Sequence, residues 1–275
     1  MRAGLTEFRN VDAFGLIGDT HGNLGFTVAM LDAFGERDVD LVVVLGDFGF
    51  LWLPEKHGTK DLDQLNARVE QNRQTLLFVD GNHEDHKALA IYPIGDDGIR
   101  WLTSRIAHLP RGYRSTLKDG SVIAALGGAN SIDVENRVIN ESWWTEEGIT
   151  DEDLVALGSD HVDVLLAHDA PRFVPALDDL IFGNRKRFSQ FGVFYAEMGR
   201  RKFHQGFMRV KPSIQFSGHY HHAVDEVVGY TDGDYQFTTR VVVLDCDYAF
   251  RKVGAIFRVI DRNLTFLDAD GKDSF

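Results

Sequence analysis

The stretch AFGLIGDTHGN, residues 13 to 23, decides how the chain is read. Ala13 to Ile17 is a short apolar run that stops at Gly18, which marks a strand end, and Asn23 to Phe34 then carries the periodicity of an amphipathic helix. Asp19 and His21 lie between them, two positions apart, so in an extended loop both side chains can turn toward one ion. The unit of strand, ligand loop and helix recurs. Val39 to Leu45 is nearly all apolar, as in a central strand covered on both faces, and it stops at Gly46-Asp47. Leu62 to Gln74 reads as a helix, and Thr75 to Val79 as a third strand ending in Gly81-Asn82-His83-Glu84. This half is a βαβ succession whose C-terminal strand ends form one functional rim.

From Ile99 the texture changes. Ile106 to Leu109, Tyr113 to Leu117 and Ser121 to Leu126 are short strand candidates broken by Pro110, Gly112, Asp119 and Gly120, and helices become scarce. Thr150 to Leu157 is a helix with Thr150 as its cap, and Val162 to Ala167 is the strand that presents His168-Asp169. Residues 171 to 211 show no clean period and hold two basic runs, Arg185-Lys186-Arg187 and Arg200-Arg201-Lys202. Ile214 to Phe216 precedes Gly218-His219-Tyr220-His221-His222, after which Tyr235 to Leu244, Gly254 to Ile260 and Leu264 to Leu267 read as antiparallel strands. The expectation is one α/β domain over 1–275 with two sheets, the first half partly parallel and the last half antiparallel, and with a lid or insertion at 171–211. A dinucleotide-binding sheet fits less well, because no Gly-x-Gly-x-x-Gly follows the first strand.

Composition bounds the partners. With 42 acidic against 29 basic side chains the formal charge is -13, which opposes nonspecific binding to nucleic acid or an anionic membrane. Bound divalent cations would still make a cleft locally positive. The single cysteine, Cys246, forms no internal disulfide, no apolar run approaches the length of a bilayer span, and Met1 to Asn10 carries no apolar stretch of a secretion signal. A cytoplasmic, reducing location is expected.

Five strand ends thus carry metal-type donors. Asp47 has two carboxylate oxygens and no neighbouring basic residue in sequence, so it can bridge two cations roughly 3.5–4 Å apart. Asn82 offers an amide oxygen, His168 an imidazole, and His219 with His221 repeats the spacing of Asp19 and His21. A mixed oxygen and nitrogen set suits manganese, iron or zinc.

The ordered series GDTHG (18–22), GD (46–47), GNHE (81–84), HD (168–169) and GHYHH (218–222) resembles the calcineurin-like metallophosphoesterase superfamily over about 205 positions. The resemblance implies an αββα sandwich of two mixed β-sheets flanked by helices. It implies two divalent ions, Mn2+ first with Fe, Zn and Ni also accepted: Asp19, His21 and His221 on one, Asn82, His168 and His219 on the other, and Asp47 between them. His83 is then the catalytic histidine outside the ligand set. The chain departs from the family in one respect. Where many members carry a further aspartate three residues after the bridging one, this chain has Phe50, so His83 needs another partner, and Glu84 and Asp85 are the nearest acids in sequence. Residues 130–144 resemble a bacterial or phage branch.

The implied activity is a metal-dependent phosphodiesterase acting on a small phosphodiester or nucleotide, 2',3'-cyclic nucleotides among them. The alternatives are a phosphomonoesterase or serine/threonine protein phosphatase with the same centre, and a noncatalytic metal-binding scaffold. Nucleic acid is a less favoured substrate, no membrane partner is expected, and oligomeric state is left open. Arg137 reads equally as a phosphate contact and as a solvent-facing arginine; Trp143 and Trp144 as stacking surfaces or loop anchors; the basic groups of 185–202 as a lid or nucleic-acid contact or, chiefly, as a solvated surface or oligomer contact; and His222 as a neighbour of phosphate or, chiefly, as an exposed residue. His57, His86, His108, His161 and His204 receive no role.

Overall fold

The computed structural model describes residues 7–51 and 60–275. His57 lies outside them. Two mixed sheets pack face to face. The first, in spatial order, is β13 (Leu264–Leu267), β12 (Gly254–Arg258), β1 (Ala13–Ile17), β2 (Leu41–Val44), β3 (Thr75–Phe78), β5 (Ile106–His108) and β4 (Arg100–Trp101). The second is β10 (Val224–Asp232), β11 (Tyr235–Val243), β9 (Ile214–Ser217), β8 (Val164–Ala167), β7 (Val122–Leu126) and β6 (Arg114–Thr116).

Strand periodicity builds the layers. Val43 of β2 points into the core between the sheets with Leu16, Leu77, Leu166 and Phe216, whereas Val42 and Val44 point to the other face. That outer face is covered by α1 (Leu24–Gly35), α2 (Lys60–Gln71) and α3 (His86–Ala90), which bury Phe26, Met30, Phe34, Leu65 and Val69 against it. The outer face of the second sheet is covered by α4 (Asp151–Leu157), α5 (Pro175–Asn184) and α6 (Gln190–Val210), through Leu154, Leu177, Phe203 and Phe207. Each such fully buried side chain contributes about 1.5–3 kcal/mol. The result is the αββα sandwich. Among the described residues no helix is long and apolar enough to cross a membrane.

The second half corrects two expectations. The last strands do pair antiparallel, β12 with β1 and β13 and β11 with β10, but the second sheet as a whole is mixed: β7, β8, β9 and β11 run parallel, and only β6 and β10 are antiparallel to their neighbours in it. Parallel pairing needs crossover connections, which α4 supplies between β7 and β8, and α5 with α6 between β8 and β9. Nor are helices scarce there, since residues 171–211 hold α5, with Pro175 in its first turn, and the 21-residue α6, capped by the Ser189 side chain. The period of α6 is hidden because the face it sets against α4 and the loop after β7 includes glycine. A Cβ at Gly192, Gly199 or Gly206 would lie 2.0 Å from Ile132 O, 2.7 Å from Asn130 Cβ and 2.8 Å from Leu154 Cδ2. Three glycines at seven-residue spacing therefore let the helix approach closely.

One buried ion pair joins the sheets behind their C-terminal edges. Asp80, just past β3, accepts from Arg111 Nε at 2.9 Å and Nη2 at 2.7 Å, and lies 3.1 Å from His108 Nε2. Arg111 also donates to Asp153 at 3.0 Å and to the carbonyls of Glu146, Glu147 and Gly148. Burial alone would raise the Asp80 pKa, but the charge of Arg111 and the bond to His108 outweigh it and hold the carboxyl well below its usual range. A carboxyl depressed in the native state contributes stability that is present above about pH 3.9 and is lost as pH falls through the native value. Asp80→Asn is expected to lower unfolding free energy by about 1.5–3 kcal/mol in denaturant titrations at pH 7, because Arg111 loses its two charge-assisted bonds to Asp80 and keeps only Asp153 as a carboxylate partner. That deficit should persist down to about pH 4 and narrow below it.

Candidate metal centre

The rim is built at the C-terminal ends of parallel strands in both sheets. The loop after β1 carries Asp19 and His21, that after β2 carries Asp47, that after β3 carries Asn82 and His83, and β8 ends at His168. The loop after β9 carries His219 and His221. Four of these residues adopt left-handed backbone: His21 at φ 44°, Asp47 at 47°, His219 at 70° and His221 at 48°. Such a conformation costs a non-glycine residue about 1–3 kcal/mol and persists only where its surroundings enforce it. Here it turns side chains inward from tight loops.

Asp19, His21, Asp47 and His221 each offer a donor atom, all within 4.8 Å of one another. His221 Nε2 lies 3.0 Å from Asp19 Oδ2, and His21 Nε2 3.6 Å from Asp47 Oδ2. The outer nitrogens of both rings are engaged: His21 Nδ1 pairs with Asp247 at 2.8 Å, and His221 Nδ1 with the Tyr248 hydroxyl. Both rings are thus fixed with Nε2 inward, as ligating imidazoles require.

A second group adjoins the first. His168 Nδ1 pairs with the Leu45 carbonyl at 2.8 Å, and its Nε2 sits 3.1 Å from Asn82 Oδ1 and 3.3 Å from Asp47 Oδ1. Asn82 is turned by its amide nitrogen, which donates to Ser131 Oγ at 3.1 Å, and Ser131 in turn donates to Glu147 at 2.6 Å. His219 packs edge-on against His168, with ring centroids 4.8 Å apart.

These residues fit a cation. With Nδ1–H donating to Leu45, a neutral His168 places its Nε2 lone pair against the Asn82 oxygen and the Asp47 carboxylate, an arrangement that positive charge resolves. Asp19 and Asp47 are each about 1% exposed; burial opposes ionising Asp47, but the charges of His168 and His83 outweigh it and hold its carboxyl well below the usual range. Burial opposes charging His21, yet the bond to Asp47 and the charges of Asp47 and Asp19 raise its pKa to about 9. His83 behaves oppositely: burial lowers its pKa and the Arg137 charge adds to the effect, against Asp47.

His83 stands on the rim outside both groups, its backbone N–H on Asp47 Oδ1 at 2.8 Å. Neither acid expected from sequence orients it. Glu84 accepts from the Phe48 and Gly49 N–H groups, and Asp85 caps α3 through Ala88 N. Its Nε2 instead lies 2.6 Å from Arg137 Nη2. Phe50 is buried against Phe48, so its position belongs to the apolar layer. Asp169 is spent internally, accepting from Tyr220 and Ala170. Trp144 is buried and anchors its loop, while His222 is exposed. Of the basic runs, Arg200, Arg201 and Lys202 are paired with Asp178, Glu197 and Asp151. Sequence reasoning missed Asp247, Ser131 and Glu147. Asp247 was within reach, because Val241 to Leu244 followed by two acids repeats the pattern of an apolar strand ending at a carboxylate.

A cavity of about 770 Å³ opens on the rim. Asp47, Asn82, His83, His219 and His221 line one side, and α5 and α6 contribute Leu180, Ile181, Phe182, Val193 and Ala196, with Phe173, Phe188, Arg185 and Arg187 nearby.

The family described as calcineurin-like phosphoesterase matches residues 13–223. Among solved structures, TT1561 of Thermus thermophilus aligns with a TM-score of 0.54 at 10% identity, over 94% of this chain and 99% of that one. A dimetal phosphatase from Danio rerio aligns with a TM-score of 0.51 at 13% identity, over 93% and 95%. At such identities the likeness carries the fold alone. No curated protein matches the chain.

Asp247→Ala is expected to weaken manganese binding by about 10–100-fold in chelator competition, because His21 loses the carboxylate that sets its ring. An unchanged competition curve would mean that Asp247 only ties down the Asn23 loop.

Proposed function

Since the chain belongs to the calcineurin-like phosphoesterase family, we propose that it is a metal-dependent phosphodiesterase with a dinuclear centre. Asp19, His21 and His221 hold one divalent ion, Asn82, His168 and His219 hold the other, and Asp47 bridges them. The observation that carries this reading is the division of the Asp47 carboxylate. Its Oδ2 faces His21 at 3.6 Å and its Oδ1 faces His168 at 3.3 Å, so one side chain serves both groups. Oxygen and imidazole donors without thiolate suit Mn2+ first, and accept Fe, Zn or Ni.

When bound, the two ions supply Lewis acidity toward phosphoryl oxygens and acidify water at neutral pH. The chain's own residues do the rest. The outer bonds from Asp247, Tyr248, Leu45 and Ser131 hold the donors in place before any substrate arrives. His83, with Nε2 4.0 Å from Asp47 Oδ2, stands beside the centre without belonging to it, and stabilises or protonates the departing ester oxygen.

The cavity favours a small substrate with an organic substituent. Phe173, Phe182 and Phe188 give it an apolar wall, and Arg185 and Arg187 add positive charge to an otherwise acidic chain. That combination suits a phosphodiester or 2',3'-cyclic nucleotide better than a phosphoprotein, which needs an open groove. In this reading residues 1–275 are one metallophosphoesterase domain of a cytoplasmic protein of the bacterial or phage branch, with α5 and α6 as the lid over the centre.

Protein stripped of metal and reloaded with manganese is expected to hydrolyse bis-p-nitrophenyl phosphate or 2',3'-cyclic nucleotides faster than p-nitrophenyl phosphate. Monoester turnover alone would transfer the assignment to a phosphomonoesterase, and two bound metals with no turnover of any ester would favour a scaffold. Asp47→Asn should lower metal content at both positions. His83→Ala should keep both equivalents while turnover falls by about 10²–10⁴-fold.

A further inference from the structure

We infer that Arg137 is the residue that receives the phosphoryl group, a catalytic cation contributed from outside the ligand loops and held by Asp133 as its positioning residue. This rests on the phosphoesterase reading above.

Arg137 lies between β7 and α4, at the end of a short 3-10 turn spanning Val134–Asn136. Its side chain is only 7% exposed, yet it lines the cavity that contains Asp47, Asn82 and His83. Nε donates to Asp133 Oδ1 at 2.7 Å, Nη1 to the Ser142 carbonyl at 3.3 Å, and Nη2 approaches His83 Nε2 at 2.6 Å. A guanidinium carries five N–H donors. Three have partners among the described residues, so two are uncommitted on a side chain hidden from bulk water.

The other two deeply buried arginines make the contrast. Arg111 spends all its donors on Asp80, Asp153 and three carbonyls, while Arg200 makes three bonds, to Asp178 and the carbonyls of Ala170 and Pro171, none of them to a side chain of the rim. Both are structural clasps. Arg137 alone of the three has an imidazole as a partner, and that imidazole belongs to His83 on the rim. A cation set against a histidine gains little for the fold and is well placed for an anion. Phosphate is the natural acceptor, because the planar fork matches two of its oxygens at once.

The loop behind Arg137 is built to hold it. Ser142 Oγ accepts from Val138 N at 2.9 Å, and the Val138 carbonyl takes the N–H groups of Glu141, Ser142 and Trp143. The guanidinium is therefore presented from a closed turn, and Asp133 sets its plane. In the resting arrangement Nη2–H donates to the His83 lone pair. An arriving phosphoryl oxygen is the stronger acceptor, so the guanidinium exchanges the imidazole for the anion, and the freed His83 Nε2 takes up a proton from solvent that it then passes to the departing ester oxygen. The position vacated by the missing family aspartate, Phe50, thus has a counterpart of opposite charge on a different loop.

The test compares wild type, Arg137→Ala, Arg137→Lys and Asp133→Asn, all loaded with manganese, for metal content, thermal melting, inorganic phosphate affinity by calorimetry, and kcat and KM on bis-p-nitrophenyl phosphate. Arg137→Ala is expected to keep two metals and its melting temperature, to bind phosphate about 10–100-fold more weakly, and to lose about 100-fold in kcat/KM. Added guanidinium should restore part of that loss, which a purely structural role would not allow. Arg137→Lys should recover only a fraction, lacking the fork, and Asp133→Asn should raise KM more than it lowers kcat. Phosphate affinity and kcat/KM within about twofold of wild type in Arg137→Ala, or loss of metal from it, would overturn the proposal. Should the alanine variant not fold, wild-type phosphate affinity in Arg137→Lys together with wild-type KM in Asp133→Asn would do so. If wild type turns over no ester, the phosphodiesterase reading fails, while the phosphate arm still decides Arg137.

Discussion

The Asp80–Arg111 pair is the constraint on which the rest of the rim depends. It is buried, charge-assisted and doubly bonded, and it lies where the end of β3 meets the segment leading to α4. Because Arg111 also gathers the carbonyls of Glu146, Glu147 and Gly148, it fixes the backbone of the residue whose carboxylate holds Ser131. Ser131 in turn sets the amide of Asn82. A chain of four contacts thus runs from a structural ion pair to a candidate ligand, and the amide oxygen faces inward because its nitrogen has been given a partner elsewhere. Isolated buried pairs contribute little net stability, since desolvation offsets their attraction. The value of this one is geometric.

The same logic recurs around the rim. Three imidazoles directed at the centre through Nε2 have their other nitrogen occupied: by Asp247 for His21, by the Leu45 carbonyl for His168, by Tyr248 for His221. Rotation is removed by neighbours drawn from both sheets, so the sandwich is the device that makes the candidate ligands converge. Strands of one sheet could not supply Asp47 and His219 together, because β2 and β9 belong to different layers.

Much of this was legible in the sequence, and the unreadable part has physical reasons. Strands β1, β2, β3 and β8 are buried on both faces, so their apolar runs and glycine stops announce them. β10 escaped notice because it is an edge strand with mostly exposed residues. The direction of β7, β8, β9 and β11 is a property of their partners and crossovers, which no single strand encodes. The donors were readable because aspartate, asparagine and histidine at strand ends are chemically distinctive as a set. Glu147 and Ser131 were not, since a carboxylate that orients a hydroxyl that orients an amide looks, residue by residue, like ordinary loop polarity. Arg137 could be given no single role from sequence, because its burial is conferred by a loop that packs only in the folded chain.

The glycines of α6 have a consequence for the cavity itself. Gly192, Gly199 and Gly206 bring one side of the helix against Ile132, Asn130 and Leu154, while Val193, Ala196 and Glu197 on another side form part of the cavity wall. The clearance between that wall and the rim is therefore written in hydrogens rather than in any side chain that lines it. A lineage could retune the width of the chamber by one methyl on the hidden side of the helix, leaving every residue that meets a substrate unchanged.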